Sequence, residues 1–229
     1  MDTYGLSTPV AAASTDARAA FITRTYLHLF GAILLFVGIE VALFQSGLAA
    51  PIASALLSGS WLLVLGAFML VSWFASRTAY SSASTPAQYA ALGALVVAYA
   101  IIFVPLLYIA AYYSDPGVIR SAAWVTLLGF TGLTGVAVLS RKDFSFLGAF
   151  LKWGFVVAIV LIVASLLFGF ELGTFFAVAM VGLAGAAILY DTSKIMRDFP
   201  VDRHVAAALQ LFSSVALMFW YILQLFMRR

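Results

Sequence analysis

The amino-acid sequence predicts an all-α integral membrane protein, a bundle of seven transmembrane helices. Three observations carry this: the composition, seven apolar stretches of roughly spanning length, and the absence of barrel-like alternation. Hydrophobic residues fill 65% of the 229 positions and charged residues 9%, with a mean hydropathy of +1.10. A soluble domain is roughly 45–50% apolar and about 25% charged. So few charges cannot build a water-facing surface, and lipid must solvate the outer faces. Helices are the open-ended backbone that satisfies its own hydrogen bonds in lipid, and no segment alternates with period two as a barrel strand does.

The chain begins with Asp2, Asp16 and Arg18 and no apolar core, so no cleavable signal peptide is expected. Residues 1–20 read as a disordered cytoplasmic tail, Pro/Ala/Ser-rich from Ser7 to Ser14, and residues 21–229 as one seven-helix domain. A span needs about 20 apolar residues. The predicted spans are Thr25–Ser46, Trp61–Ser76, Tyr89–Ala111, Ser121–Ser140, Ala149–Phe168, Gly173–Met196 and Val205–Met227. The second is short unless Leu56–Ser60 extends it. Pro105 is expected to kink the third. Gly129, Gly132 and Gly135 in the fourth span, and Gly182 and Gly185 in the sixth, recur at helical spacing. Close helix packing is their ordinary use, and approach of a ligand the alternative.

Basic residues are retained on the cytoplasmic side. Arg18, Arg24, Arg77, Arg141, Lys142, Lys152, Lys194, Arg197 and Arg203 fall on one side, and Arg120, Arg228 and Arg229 on the other. The nine-to-three split places the N-terminus inside, in a cytoplasmic membrane. Arg228 and Arg229 leave two courses for the last helix. It crosses fully, or it re-enters at its Gln210, Ser213 and Ser214 interruption and returns both termini to one side.

Two acids lie within spans, Glu40 and Asp191, and intramembrane acids are functional candidates. At 1.5 Å per residue, Asp191 lies about 8 Å from the cytoplasmic end of its span, Ser214 about 14 Å and Glu40 roughly 22 Å. A direct Asp191–Glu40 pair is therefore not expected, whereas the depths permit a polar ladder Asp191–Ser214–Glu40 if the first, sixth and seventh spans adjoin. The plain structural roles are an Asp191 paired with Lys194 or Arg197, a neutral buried Glu40 bonded to a neighbouring helix, and serines acting as interhelical glue. Asp191 is expected to be ionised and held by a cation, Arg77 or Lys194. His28 reads as an interfacial residue, or less simply as one titrating beside a carboxylate. Trp61, Tyr112, Tyr113, Trp220 and Tyr221 read as interface anchors.

Several chemistries lack their residues. With no cysteine and two histidines, disulfides, thiol nucleophiles and zinc sites have no basis. No H-E-x-x-H, G-x-S-x-G or glycine-rich phosphate loop occurs. Tyr190-Asp191 is similar to half of an intramembrane aspartyl protease, but no Gly-x-Gly-Asp supplies the second carboxylate. Lys142, Lys152 and Lys194 all sit near span ends, which leaves no Schiff-base lysine for retinal. No enzyme activity, catalytic residue, resident metal, cofactor or nucleic-acid partner is expected.

Three patches in order resemble the Bax inhibitor-1 (transmembrane Bax inhibitor motif) family, in its bacterial branch. They are Leu139–Leu151 (LSRKDFSFLGAFL), Ile188–Ile195 (ILYDTSKI) and Ala207–Phe212 (AALQLF). The resemblance covers roughly Arg18 to the end. It implies two layers of three helices around a central last helix and, in some members, a pH-governed calcium leak. It also implies an aspartate in the sixth span, paired with another in the last helix and engaged by a basic residue after the second span. Asp191 matches the first and Arg77 the basic residue. The chain departs from the pattern at Ser214, where the second aspartate stands, and at Leu217, where an asparagine stands. The implied function is a slow cation (calcium) leak serving ion or stress homeostasis, with Asp191, Arg77, Ser214 and Glu40 as its residues and calcium as cargo. The alternative is a non-conducting regulator binding membrane proteins, such as a membrane-anchored protease.

Overall fold

The computed structural model describes residues 8–82, 84–140 and 142–228. Arg141, Arg229 and residues 1–7 of the expected tail lie outside them. The described chain forms helices α1 (Thr15–Gln45), α2 (Ala49–Ser58), α3 (Trp61–Ser81), α4 (Thr85–Tyr112), α5 (Val118–Ser140), α6 (Leu147–Phe168), α7 (Gly173–Arg197) and α8 (His204–Met227). Seven are long and apolar enough to cross a membrane. At 1.5 Å per residue, even the shortest of these, α3, reaches about 31 Å, the thickness of a hydrocarbon core. Each span of the sequence reading thus has its helix.

Two boundaries differ instructively. The second span gains its length at the far end, through Arg77 to Ser81, and not from Leu56–Ser60. Leu56–Ser58 belong to the separate helix α2, which is too short to span and packs Ala49 and Ala53 against Val104 of α4. Residues 8–20, expected within a disordered tail, also carry structure. A 3-10 turn at Val10–Ala12 leads to α1, whose start is capped by the Ser14 hydroxyl accepting from the Ala17 N–H at 3.3 Å. The cause is a docking site on the chain between α7 and α8. The Val10 N–H donates to the Phe199 carbonyl at 2.9 Å, Arg18 donates to the Val10 and Ala11 carbonyls, and the Val10 side chain is fully buried.

Helix α8 lies inside the bundle, packed against α1, α3, α4, α5 and α7, and is the most buried of the seven long helices. It runs unbroken through Gln210, Ser213 and Ser214. Those polar groups face protein, which is the condition under which a membrane helix tolerates them. The outer helices turn apolar side chains outward; Phe175 is 93% exposed and Leu139 83%, a distribution suited to lipid rather than water. Helix α1 shows the division along one element. Phe21, Thr25, Leu29, Ala32, Phe36 and Glu40, spaced by three or four, form its buried face, while Leu27, Phe30, Leu34 and Val41 face outward.

Small residues permit the closest contacts, though not all the expected ones. A methyl group added at Gly129 would lie 3.4 Å from the Met218 sulfur, and at Gly185 3.2 Å from Leu133, so these two serve packing among α5, α7 and α8. Gly132, Gly135 and Gly182 have open space where a methyl group would stand. The tightest approach is instead at Gly154 on α6, where an added methyl group would lie 2.6 Å from Leu183 of α7. Helix α4 continues through Pro105.

Candidate functional site

Where α7 meets α8, one turn and a half before α7 ends, Asp191 is buried and both of its carboxylate oxygens are satisfied. Oδ1 accepts from Nε2 of Gln210 at 2.6 Å, and Oδ2 accepts from the Ser214 hydroxyl at 2.6 Å. Gln210 and Ser214 are four residues apart, so one face of α8 presents both donors to one carboxylate. The neighbouring Ser193 hydroxyl accepts from the Phe144 N–H at 3.2 Å, tying the α5–α6 connection to the same stretch of α7.

No cation reaches ion-pair distance of Asp191 among the described residues, although the charge of Lys194 acts on it from one helical turn away. The Arg77 guanidinium stacks over Trp73 of its own helix, 5.3 Å from the ring centroid. The Lys194 ammonium lies 5.7 Å from the Tyr190 ring and 5.8 Å from that of Phe199. Arg197 pairs with Asp143 at 2.8 Å. Among the described residues, Asp191 makes no ion pair, and neutral donors hold it. Lys194, three residues on, lies on the same side of α7 as Asp191, but its ammonium rests against the rings of Tyr190 and Phe199 while Gln210 and Ser214 of α8 close over the carboxylate.

Asp143 lies outside the spans, on the loop before α6. The Ser145 backbone N–H, at 2.8 Å, followed by the Ser145 hydroxyl and the charge of Arg197, holds its carboxyl below the usual carboxylate range.

The anticipated ladder is half formed. Asp191 and Ser214 are joined, but both Glu40 oxygens are buried with no hydrogen-bond partner among the described residues. Glu40 therefore stands apart from the other three candidates, and Arg77 stands apart from Asp191. Among the described residues, no carboxylate is a hydrogen-bond or ion-pair partner of His28. Its ring nitrogens lie 2.6 Å from the Arg24 carbonyl and 2.7 Å from the Tyr89 hydroxyl, and its ring is 4.8 Å from that of His204.

Sequence reasoning missed three features. Gln210 is a direct partner of Asp191; its i,i+4 spacing from Ser214 was the available signal. The Tyr26 hydroxyl lies beside the hydroxyls of Thr134 and Thr192, and all three are buried without a completed hydrogen bond. A cavity of about 870 Å³ opens between α3, α6 and α8 at the end of the bundle opposite His204. Tyr99 lines it, and the Tyr99 hydroxyl lies near Ser213, one residue from Ser214. Among the described residues, no three His, Asp or Glu side chains gather as a metal site.

Comparison with known proteins agrees with the three patches. An uncharacterized protein of Pseudomonas aeruginosa is 35% identical over 112 residues, covering 48% of this chain and 49% of that one. An uncharacterized membrane protein of Vibrio cholerae is 28% identical over 117 residues, covering 51% of this chain and 52% of that one. The chain spans about half the length of these curated relatives in each match. The profile of the Bax1-I family, inhibitor of apoptosis-promoting Bax1, matches residues 18–229. With the seven long apolar helices and that match over nearly its whole length, the chain is a multi-pass membrane protein and belongs to the Bax1-I family.

Proposed function

We propose that this protein provides a slow leak for cations, calcium in particular, across a cytoplasmic membrane, in the service of ion or stress homeostasis. The observation that carries the reading is the buried carboxylate of Asp191, held between α7 and α8 by two neutral donors. An intramembrane acid of this kind is costly, which makes it a functional candidate by default. Support also comes from the cavity at the opposite end, whose Tyr99 wall adjoins Ser213. Asp191 is the group that attracts the cation, Ser214 and Gln210 hold it in register, and Arg77 and Glu40 tune the path from outside the carboxylate's contacts. Calcium is cargo, and its preference for oxygen ligands fits a carboxylate among hydroxyls and an amide.

The N-terminus faces the cytoplasm in this reading, because Arg18, Arg24, Arg77, Lys142, Lys194, Arg197 and Arg203 share one end of the bundle. An unbroken α8 supports a full crossing by the last helix, and its end at Arg228 lines the same cavity as the start of α3 at Trp61. The bacterial origin of both matched relatives supports a place in the family's bacterial branch. The test is calcium entry into dye-loaded liposomes containing the purified protein. Entry above that of protein-free liposomes, and its loss in Asp191→Asn, is the expected result; wild-type liposomes as tight as empty ones would overturn the leak.

A second reading rests on Ser214. With serine at this position, the site holds one carboxylate with both oxygens satisfied, a clasp between helices rather than a charged pair. A non-conducting regulator that binds membrane proteins needs nothing more.

A further inference from the structure

We propose that the cavity between α3 and α6 is a binding site for a phospholipid with a zwitterionic, ammonium-bearing headgroup, phosphatidylethanolamine being the probe. The volume of about 870 Å³ suits a headgroup with one acyl chain, the second chain remaining in the bilayer through the gap between α3 and α6. Its walls are chiefly apolar, with the rings of Trp61, Phe155 and Trp220 among them. Water would find few polar partners along most of this lining, whereas an acyl chain meets the solvent it prefers. The site also has a side entrance. Helices α3 and α6 flank the cavity but touch each other only sparsely, in contrast to the extensive contact of α7 with α8. A lipid chain can therefore enter from the bilayer without first crossing water.

The headgroup assignment comes from the mouth. Glu171 on the α6–α7 connection and Gln224 and Arg228 at the end of α8 line the cavity where it reaches the end of the bundle. A carboxylate and a guanidinium at one mouth match the ammonium and the phosphate of a single headgroup. Charge-assisted contacts of that kind are the strong ones, and the guanidinium fork suits phosphate. A headgroup bearing phosphate but no ammonium would satisfy Arg228 and leave its negative charge facing Glu171. At its inner end the cavity reaches Tyr99, so the chain terminus would lie against the ring that adjoins Ser213.

The experiment is lipid retention by the full chain, measured by native mass spectrometry after delipidation. The protein is reloaded in mild-detergent micelles containing equal amounts of phosphatidylethanolamine and phosphatidylglycerol. One phosphatidylethanolamine per chain is expected to survive removal of loosely held lipid, in about tenfold excess over phosphatidylglycerol. Glu171→Gln should bring that ratio to near parity. Ile162→Trp places a bulky ring in the cavity and should abolish retention of both lipids, with elution volume and helicity reporting its fold. Wild-type protein that retains no phospholipid, retains both lipids equally, or carries a free fatty acid in their place would overturn the proposal. So would folded Ile162→Trp retaining as much lipid as wild type. The readout is lipid mass rather than ion flux, so it stands or falls separately from the leak.

Discussion

Ser214→Ala isolates one half of the clasp on Asp191. The Ser214 hydroxyl donates to Oδ2 at 2.6 Å, within the roughly 2.5–2.7 Å expected of an O–H donor on an ionised carboxylate. In water such a bond is worth about 1.5–3 kcal/mol. Between membrane helices the mean falls to about 0.6 kcal/mol and the largest values reach about 1.7, because the unfolded chain in the membrane finds other partners. The short, charge-assisted geometry puts this bond at the upper end of that scale, about 1–1.7 kcal/mol. Gln210 still holds Oδ1 at 2.6 Å in the variant, so Asp191 is not left without a donor. The assay is a double-mutant cycle, Ser214→Ala against Asp191→Ala, by reversible unfolding in mixed micelles followed by tryptophan fluorescence. Ser213→Ala is the control, since that hydroxyl donates at 3.1 Å to the Leu209 carbonyl of its own helix and should show no coupling to Asp191. A Ser214–Asp191 coupling within the ~0.3–0.5 kcal/mol scatter of independent sites would refute the reasoning.

Packing predicts a contrast between glycines. Gly154→Ala should destabilise the α6–α7 contact by about 1–3 kcal/mol, because the new methyl group meets Leu183 at 2.6 Å, whereas Gly132→Ala, into open space, should be neutral or gain up to ~1 kcal/mol in helix propensity; equal effects in the same unfolding assay would contradict the placement. The Asp143 contacts predict a pH dependence of definite sign. Its folded-state carboxyl sits below the unfolded value, so its contribution is complete above the ordinary carboxylate range and is lost as pH falls through the lowered folded value. Asp143→Asn should therefore flatten the acid limb of the stability curve and leave the neutral region alone, which paired unfolding curves at acid and neutral pH will read. If Asp191 carries a leak, Ser214→Asp should make the flux pH-dependent. Two carboxylates about 4 Å apart repel by about 4 kcal/mol at an effective dielectric of ~20, and such a pair must share a proton. Ser214→Asn should not have this effect, and liposome flux at about pH 6 and 8 separates them; identical profiles would sink the assignment. A cysteine at Asp143, finally, should resist impermeant reagents added outside intact cells, and external labelling would reverse the proposed orientation.

The number, order and approximate limits of the long helices were legible in the sequence. Lipid imposes one rule on every span, about 20 apolar residues without internal charge, and that rule can be applied one segment at a time. The order found in residues 8–20 escaped the sequence for the same reason that the spans were read. Composition reports the solvent a segment prefers, and nothing in Pro9–Ser14 discloses that the chain around Phe199 offers backbone partners to Val10. Helix α2 was missed because ten residues are too few for the spanning rule and its apolar face answers to distant partners, Val104 and Tyr108 of α4 among them.

At the site, the sequence by itself determined that Asp191 and Glu40 are the acids within spans, that Ser214 lies at an intermediate depth, and that no second aspartate faces Asp191 from that position. Axial depth follows from residue number, because a helix rises by a constant amount per residue. Direction around the axis does not. Only the tertiary structure decided that Gln210 and Ser214 together close on Asp191, that Arg77 lies on Trp73 and Lys194 between two rings, and that Glu40 reaches neither Asp191 nor Ser214. The rotation of each helix against its neighbours is set by the fit of many small and large side chains at once, and that fit exists only when the bundle is assembled.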